Sequence, residues 1–144
     1  MDTSGRSGCQ GGEQVLRGVD RADLVPRLCD GAFNYNPVLA ALGFQLEYGL
    51  PIINVVFNNQ SYASMKGGIE KFYPEGWAAQ TGVYHGASIA PAPEYADFAI
   101  AAGGYGERVT DPQEVGPATR RAVEAVRGGQ LALLDIRIAA QSEE

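Results

Sequence analysis

The sequence predicts an α/β domain in which a parallel sheet is flanked by helices. Three observations carry that prediction. Strand-like and helix-like segments alternate along the chain. Residues 51–57 are β-branched and almost continuously apolar, the pattern of a central parallel strand covered on both faces. The chain has 144 residues, about one domain at roughly 100–200 residues each. Apolar residues make up 45% and charged residues 19%, as in an ordinary folded protein. The 19 glycines and 8 prolines imply many tight loops.

The elements follow in order. Residues 1–22 are polar and without period, and are expected to form a disordered or aberrant tail ahead of a domain over 23–144. Residues 24–29 predict a short strand, weakened by Pro26 and Arg27. Residues 30–36 predict a loop. A helix is expected over 37–48, with Asn36 as N-cap, Pro37 in the first turn and Gly49 at the end. Val38, Leu39, Leu42, Phe44 and Leu46 make it apolar nearly all round, so it is expected to be largely buried. After the strand over 51–57, residues 58–62 form a turn, a short helix follows over 63–71, and residues 72–93 form a long loop.

The last third is regular. Tyr95, Phe98, Ala99 and Ala102 share one helical face, stopped by Gly103 and Gly104. A strand is expected over 105–109, then a capped helix start at Asp111-Pro112. That helix places Val115, Ala118, Ala122 and Val126 on its buried side and ends at Gly128-Gly129. A final strand runs over 131–138.

Several function classes are excluded. Eleven basic against 17 acidic residues give a net charge of −6 with no basic cluster, which argues against nucleic-acid and anionic membrane partners. No stretch approaches the roughly 18 apolar residues of a membrane span. No secretory signal is read at the N-terminus, and Cys9 and Cys29 have no metal-ligand spacing, so both are expected to be reduced thiols in a cytoplasmic protein. With the single histidine, His85, in a loop and no nucleophile elbow, a hydrolase is disfavoured. His85, Lys66 and Lys71 are expected at the surface, and Glu47 to be solvated or paired. Phe72, Tyr73 and Trp77 could cover a substrate or merely cluster under the long loop.

Asp30 and Asn59 stand at the ends of two predicted strands joined by a helix, a unit that takes roughly 30 residues. Such units are parallel, so both turns emerge at the carboxyl edge of the sheet, where open α/β sheets bind ligands. A carboxylate and an amide oxygen side by side are hard donors that suit Mg²⁺ and a phosphate-bearing ligand.

Asp30-Gly31-Ala32 followed by Asn58-Asn59 resembles the metal and diphosphate motif of the thiamine diphosphate-dependent enzymes. Further stretches over 36–41, 48–51, 55–59, 97–104, 111–115 and 133–136 resemble the C-terminal cofactor domain of acetolactate synthase-like members. The resemblance, which covers roughly 28–139, implies the thiamine diphosphate-binding fold. It implies that Asp30 and Asn59 ligate Mg²⁺ through side chains and Ser61 through its carbonyl. Gly31 and Ala32 would donate N–H groups to the diphosphate, with Tyr62 and Ala63 touching it from the other side. Taken alone, the Asp-Gly and Asn-Asn pairs suit simple turns; their spacing and flanks select the site.

Two departures stand out. Cys29 occupies the place of the motif's first glycine, and residues 1–27 do not resemble the family's first strand-helix unit, as in a truncated chain. The resemblance implies a lyase- or transferase-type carboligase or decarboxylase acting on a small 2-oxo acid. Its activating glutamate belongs to a separate pyrimidine-binding domain or subunit, which implies a homo- or hetero-oligomer and no activity from this chain alone. The alternatives are one subunit of a split thiamine diphosphate decarboxylase and a non-catalytic remnant kept as an interaction module.

Overall fold

A computed structural model describes residues 26–139. The predicted tail, and the Leu24 and Val25 end of the first strand, lie outside the described residues. β1 (Arg27–Cys29), β2 (Ile53–Asn58), β3 (Tyr105–Val109) and β4 (Ala132–Arg137) form a parallel sheet in the order β1-β2-β4-β3. The helices are α1 (Asp30–Tyr35), α2 (Val38–Glu47), α3 (Ala63–Phe72), α4 (Trp77–Thr81), α5 (Tyr95–Ala101) and α6 (Val115–Arg127), the last preceded by a 3-10 turn (Pro112–Glu114).

Alternation along the central strands sends side chains to two helical layers. Ile53 and Val55 of β2, with Ala132, Leu134 and Ile136 of β4, pack on Ala118, Ala122 and Val126 of α6. Val56 and Leu133 point the other way, into Phe33 of α1, Leu42 of α2 and Tyr95 and Ala99 of α5. The expected two-sided burial of the second strand and the expected buried faces of α5 and α6 are therefore present. α5 lies hard against β3. A Cβ on Gly106 would sit 2.1 Å from the Ala96 carbonyl oxygen, so only glycine admits the helix at that distance.

Three expectations change. Residues 30–35 are helical rather than a loop. Phe33 is buried edge-on against Tyr95, with ring centroids 5.2 Å apart, and this tertiary contact overrides the weak helical preference of a Gly- and Asn-containing segment. At the next boundary, Pro37 rather than Asn36 is the N-cap of α2, because the Asn36 amide is engaged backwards, donating to the Ala32 carbonyl at 2.6 Å. The third change is the largest. α2 buries only Leu42 and Gln45, while Leu39 is 71% exposed and Phe44, Leu46 and Tyr48 are also exposed. Leu39, Phe44 and Leu46 leave its outer side exposed, so all-round apolarity does not produce all-round burial here.

Its end matches the glycine signal. Gly49 has φ +58°, and its N–H and that of Leu50 donate to the carbonyls of Leu46 and Gln45 at 3.3 and 2.9 Å, the paired bonds of a left-handed helix stop. The long 72–93 connection contains the single turn of α4. Among the described residues no helix is long and apolar enough to cross a membrane.

Candidate functional site

β1 and β2 are in parallel register, with Cys29 beside Phe57. The residues that follow each strand therefore leave the same carboxyl edge side by side. Two helices rather than one, α1 and α2, fill the connection between them.

The first turn begins at Cys29, the N-cap of α1, whose φ of −77° and ψ of 156° are ordinary extended values. A cysteine thus fits where the motif has glycine, and its Sγ accepts a hydrogen bond from the Ala32 N–H at 3.4 Å. Asp30 is completely buried. Its Oδ1 accepts from the Gly31 N–H at 2.9 Å, whereas its Oδ2 is buried with no hydrogen-bond partner. An unsatisfied buried oxygen costs about 1–3 kcal/mol, more when charged, so it marks a place where a cation would be welcome. Both N–H groups that the motif assigns to a diphosphate, those of Gly31 and Ala32, are engaged by side chains of this same turn.

The second turn runs from Asn58 into α3. Asn59 and Ser61 are half-buried, and the Asn59 Oδ1 accepts from the Ser61 N–H at 3.0 Å, leaving a second lone pair on that oxygen. Gln60 has φ +58°, rare for a residue with a side chain. The turn is tied to the 87–89 segment: the Tyr62 N–H donates to the Ala87 carbonyl and the Ile89 N–H to the Gln60 carbonyl, each at 2.8 Å. Ser61 Oγ donates to the Ala87 carbonyl as well. The carbonyl of Ser61 itself is not spent in these bonds. Tyr62 caps α3 and Ala63 is that helix's first residue.

The two turns touch. The Tyr62 ring lies so close to Gly31 that a Cβ there would meet its Cδ1 at 2.8 Å, and the Tyr35 ring packs on Tyr62 with centroids 5.3 Å apart. Asp30, Gly31 and Ala32 thus share one edge with Asn59, Ser61, Tyr62 and Ala63. Among the described residues no three His, Cys, Asp or Glu side chains converge. The donors at this edge are one carboxylate, one amide oxygen and one backbone carbonyl, all oxygen, a set that fits a hard divalent cation rather than zinc.

Other residues singled out from sequence stay apart from it. His85 is exposed and stacked on Trp77, with centroids 5.8 Å apart. Phe72, Tyr73 and Trp77 are each at least 60% exposed, so they do not form a covered cluster. Lys66 pairs with Glu70 along α3, and Glu47 is exposed.

Sequence reasoning gave no site role to four further residues, among them Asn58 of the second turn itself. Asn58 and Asp135 are fully buried and joined, Asn58 Nδ2 donating to Asp135 Oδ1 at 2.9 Å. Arg108 Nε donates to Asp135 Oδ2 at 3.2 Å. Burial works against the Arg108 charge, but hydrogen bonds to Glu94 and Asp135 outweigh it and hold the guanidinium above its ordinary pKa. The signal was present: Asp135 is a carboxylate among the apolar residues 132–136 of β4. Tyr95 is the fourth, a completely buried tyrosine whose hydroxyl has no hydrogen-bond partner. Burial pushes its phenol up, and the charges of Asp30 and Asp135 add to it.

Comparison with known proteins agrees with this fold. The family described as thiamine pyrophosphate enzyme, C-terminal TPP binding domain, matches residues 17–136. The fold is similar to that of the Rhodococcus jostii RHA1 thiamine diphosphate-dependent 4-hydroxybenzoylformate decarboxylase, with a TM-score of 0.62 and 21% identity over 83% of this chain. The match spans 20% of that enzyme's chain. No curated protein sequence matches.

Proposed function

The chain belongs to the thiamine pyrophosphate enzymes as a C-terminal TPP-binding domain, and from that premise we propose that it holds thiamine diphosphate through Mg²⁺ at the carboxyl edge of β1 and β2. The observation that carries the metal is the buried, partnerless Oδ2 of Asp30 beside the Asn59 turn. Asp30 and the Asn59 side chain, with the Ser61 carbonyl, would bind the cation. Gly31 and Ala32 would turn their N–H groups from Asp30 and Cys29 to the diphosphate, with Tyr62 and Ala63 closing the other side.

When bound, the cofactor supplies the nucleophilic carbon and electron sink for breaking or making a bond beside the carbonyl of a 2-oxo acid. The chain's own residues would bind and orient it, and the resemblance of the stretches over 36–59 and 97–136 supports an assembly that is an acetolactate synthase-like carboligase or decarboxylase. The activating glutamate would come from a pyrimidine-binding domain or subunit, in a homo- or hetero-oligomer in the cytoplasm. The exposed apolar side of α2 supports such a partner. Alone, the chain is expected to bind weakly and turn nothing over.

Calorimetric titration of the full chain with thiamine diphosphate tests the reading. Binding that requires Mg²⁺, is reversed by EDTA and is lost in Asp30→Ala is expected. Binding indifferent to metal and to Asp30 would overturn it, and no binding by a folded chain would overturn it for this chain alone, in favour of a non-catalytic remnant or of one subunit of a split decarboxylase whose site needs its partner.

A further inference from the structure

Asn58 is not among the residues that the cofactor motif assigns to a ligand, yet it has no exposed surface and every polar atom of its amide is used. Its Nδ2 donates to Asp135 Oδ1 at 2.9 Å. Its Oδ1 accepts from the Gln60 N–H at 3.2 Å and from Arg137 Nη1 at 3.0 Å. The amide can sit only one way round, because a flip would set its oxygen against a carboxylate and its N–H groups against two donors.

Asp135 imposes that orientation, and it is itself held. It is the register partner of Arg108 on β3, whose Nε donates to its second oxygen at 3.2 Å. Arg108 Nη1 in turn donates to Glu94 Oε1 at 2.5 Å. Glu94 caps α5, the helix that Gly106 allows to lie against β3. A carboxylate removed from water needs such a countercharge.

The far end of this chain of contacts is the Gln60 backbone, in the left-handed region at φ +58°. Such a conformation persists only where its surroundings over-determine it. Here the Asn58 oxygen holds the Gln60 N–H, and the Ile89 N–H holds the Gln60 carbonyl. Asn59 and Ser61, the two candidate cation ligands of this turn, flank Gln60.

We propose that Asp135, charge-paired with Arg108, is a positioning residue that acts through the Asn58 amide to set the shape of the Asn58–Ser61 turn and so the placement of the Asn59 and Ser61 oxygens. Its consequence for ligand binding rests on the functional reading above; the turn itself can be tested without any ligand.

The test is amide hydrogen exchange of the full, unliganded chain, with the Gln60 and Ser61 rates normalised to Leu134 in β4. It is followed by calorimetry with Mg²⁺ and thiamine diphosphate. Asp135→Asn, which keeps the shape and removes the acceptor-only character, and Asn58→Ala are compared with Glu107→Gln. The control weakens an ion pair at the surface of the same sheet that does not reach the turn. Normalised exchange at Gln60 and Ser61 should rise at least about tenfold in the first two variants and stay unchanged in the control. Metal-dependent cofactor affinity should fall by a similar factor. Unchanged exchange at Gln60 and Ser61 in Asp135→Asn would overturn the proposal even if Asn58→Ala raised it, as would an equal rise in the control. Faster exchange in variants of a chain whose wild type binds no cofactor would leave the positioning role standing and sink the functional reading instead.

Discussion

The β3–α6–β4 half and the β1–α1–α2–β2 half of this domain obey different rules, although they share one sheet. In the first, each local signal has its local outcome. Asp111 accepts from the Gln113 N–H at 2.9 Å, α6 buries Ala118, Ala122 and Val126, and Gly129 ends the helix at φ +90°. In the second, a segment rich in loop residues is helical, an all-apolar helix is largely exposed, and a buried carboxylate oxygen has no partner. The first half pairs its buried carboxylate, Asp135, with Arg108, and leaves only one Arg108 nitrogen, Nη2, without a partner among the described residues. The second presents groups that something else would satisfy, as a ligand-binding edge must.

The sharpest way to break this contrast is to probe packing on both sides. Leu134→Ala in the buried row of β4 is expected to cost about 2–5 kcal/mol in denaturant melts. Leu39→Ala on the outer side of α2 should stay within about 0.5 kcal/mol for the isolated chain. A large loss at Leu39 would mean that α2 is covered after all.

A smaller effect belongs to the α2–β2 connection within the second half. Gly49→Ala forces a side chain into φ +58° with open space around it, so the penalty is conformational alone, about 1–2 kcal/mol by chemical denaturation.

These outcomes bear on what could be read from sequence. The sheet, the order of its elements and the neighbouring of Asp30 and Asn59 were legible, because β-branched runs, caps and glycine stops act locally. The helical state of residues 30–35 was not, since it depends on Phe33 reaching Tyr95, more than sixty positions away. Nor was the exposure of α2, because apolarity says that a face wants cover without saying whether this chain supplies it. The support behind Asn58 was only half visible: Asp135 stands out in its strand, but its pairing with Arg108 and Asn58 needs the β2-β4-β3 order.

The smallest expected effect is a pH dependence confined to the β3–α6–β4 half. Arg121, hydrogen-bonded to Glu107, outweighs burial, and with Tyr105 it holds the Glu107 carboxyl below its ordinary value of 4.5. A lowered folded-state pKa adds stability above the ordinary value that is lost as pH falls through the folded one. Glu107→Gln should therefore flatten the fall of melting temperature below about pH 4.5. It should leave cofactor binding untouched. A steeper acid limb, or weakened binding, would link the two halves more closely than their contacts suggest.

The most direct measurement of the contrast is thermal melting of wild type and Asp30→Ala, each with and without Mg²⁺ and thiamine diphosphate. Wild type should melt higher with both ligands present, since a ligand that binds only the folded state stabilises it. Asp30→Ala should melt close to wild type without ligand, because losing the buried, unsatisfied Oδ2 offsets losing the Oδ1 bond to the Gly31 N–H, and should gain nothing when they are added. A variant that melts well below wild type, or that is still stabilised by the metal and cofactor together, would show that Asp30 serves the scaffold rather than the ligand.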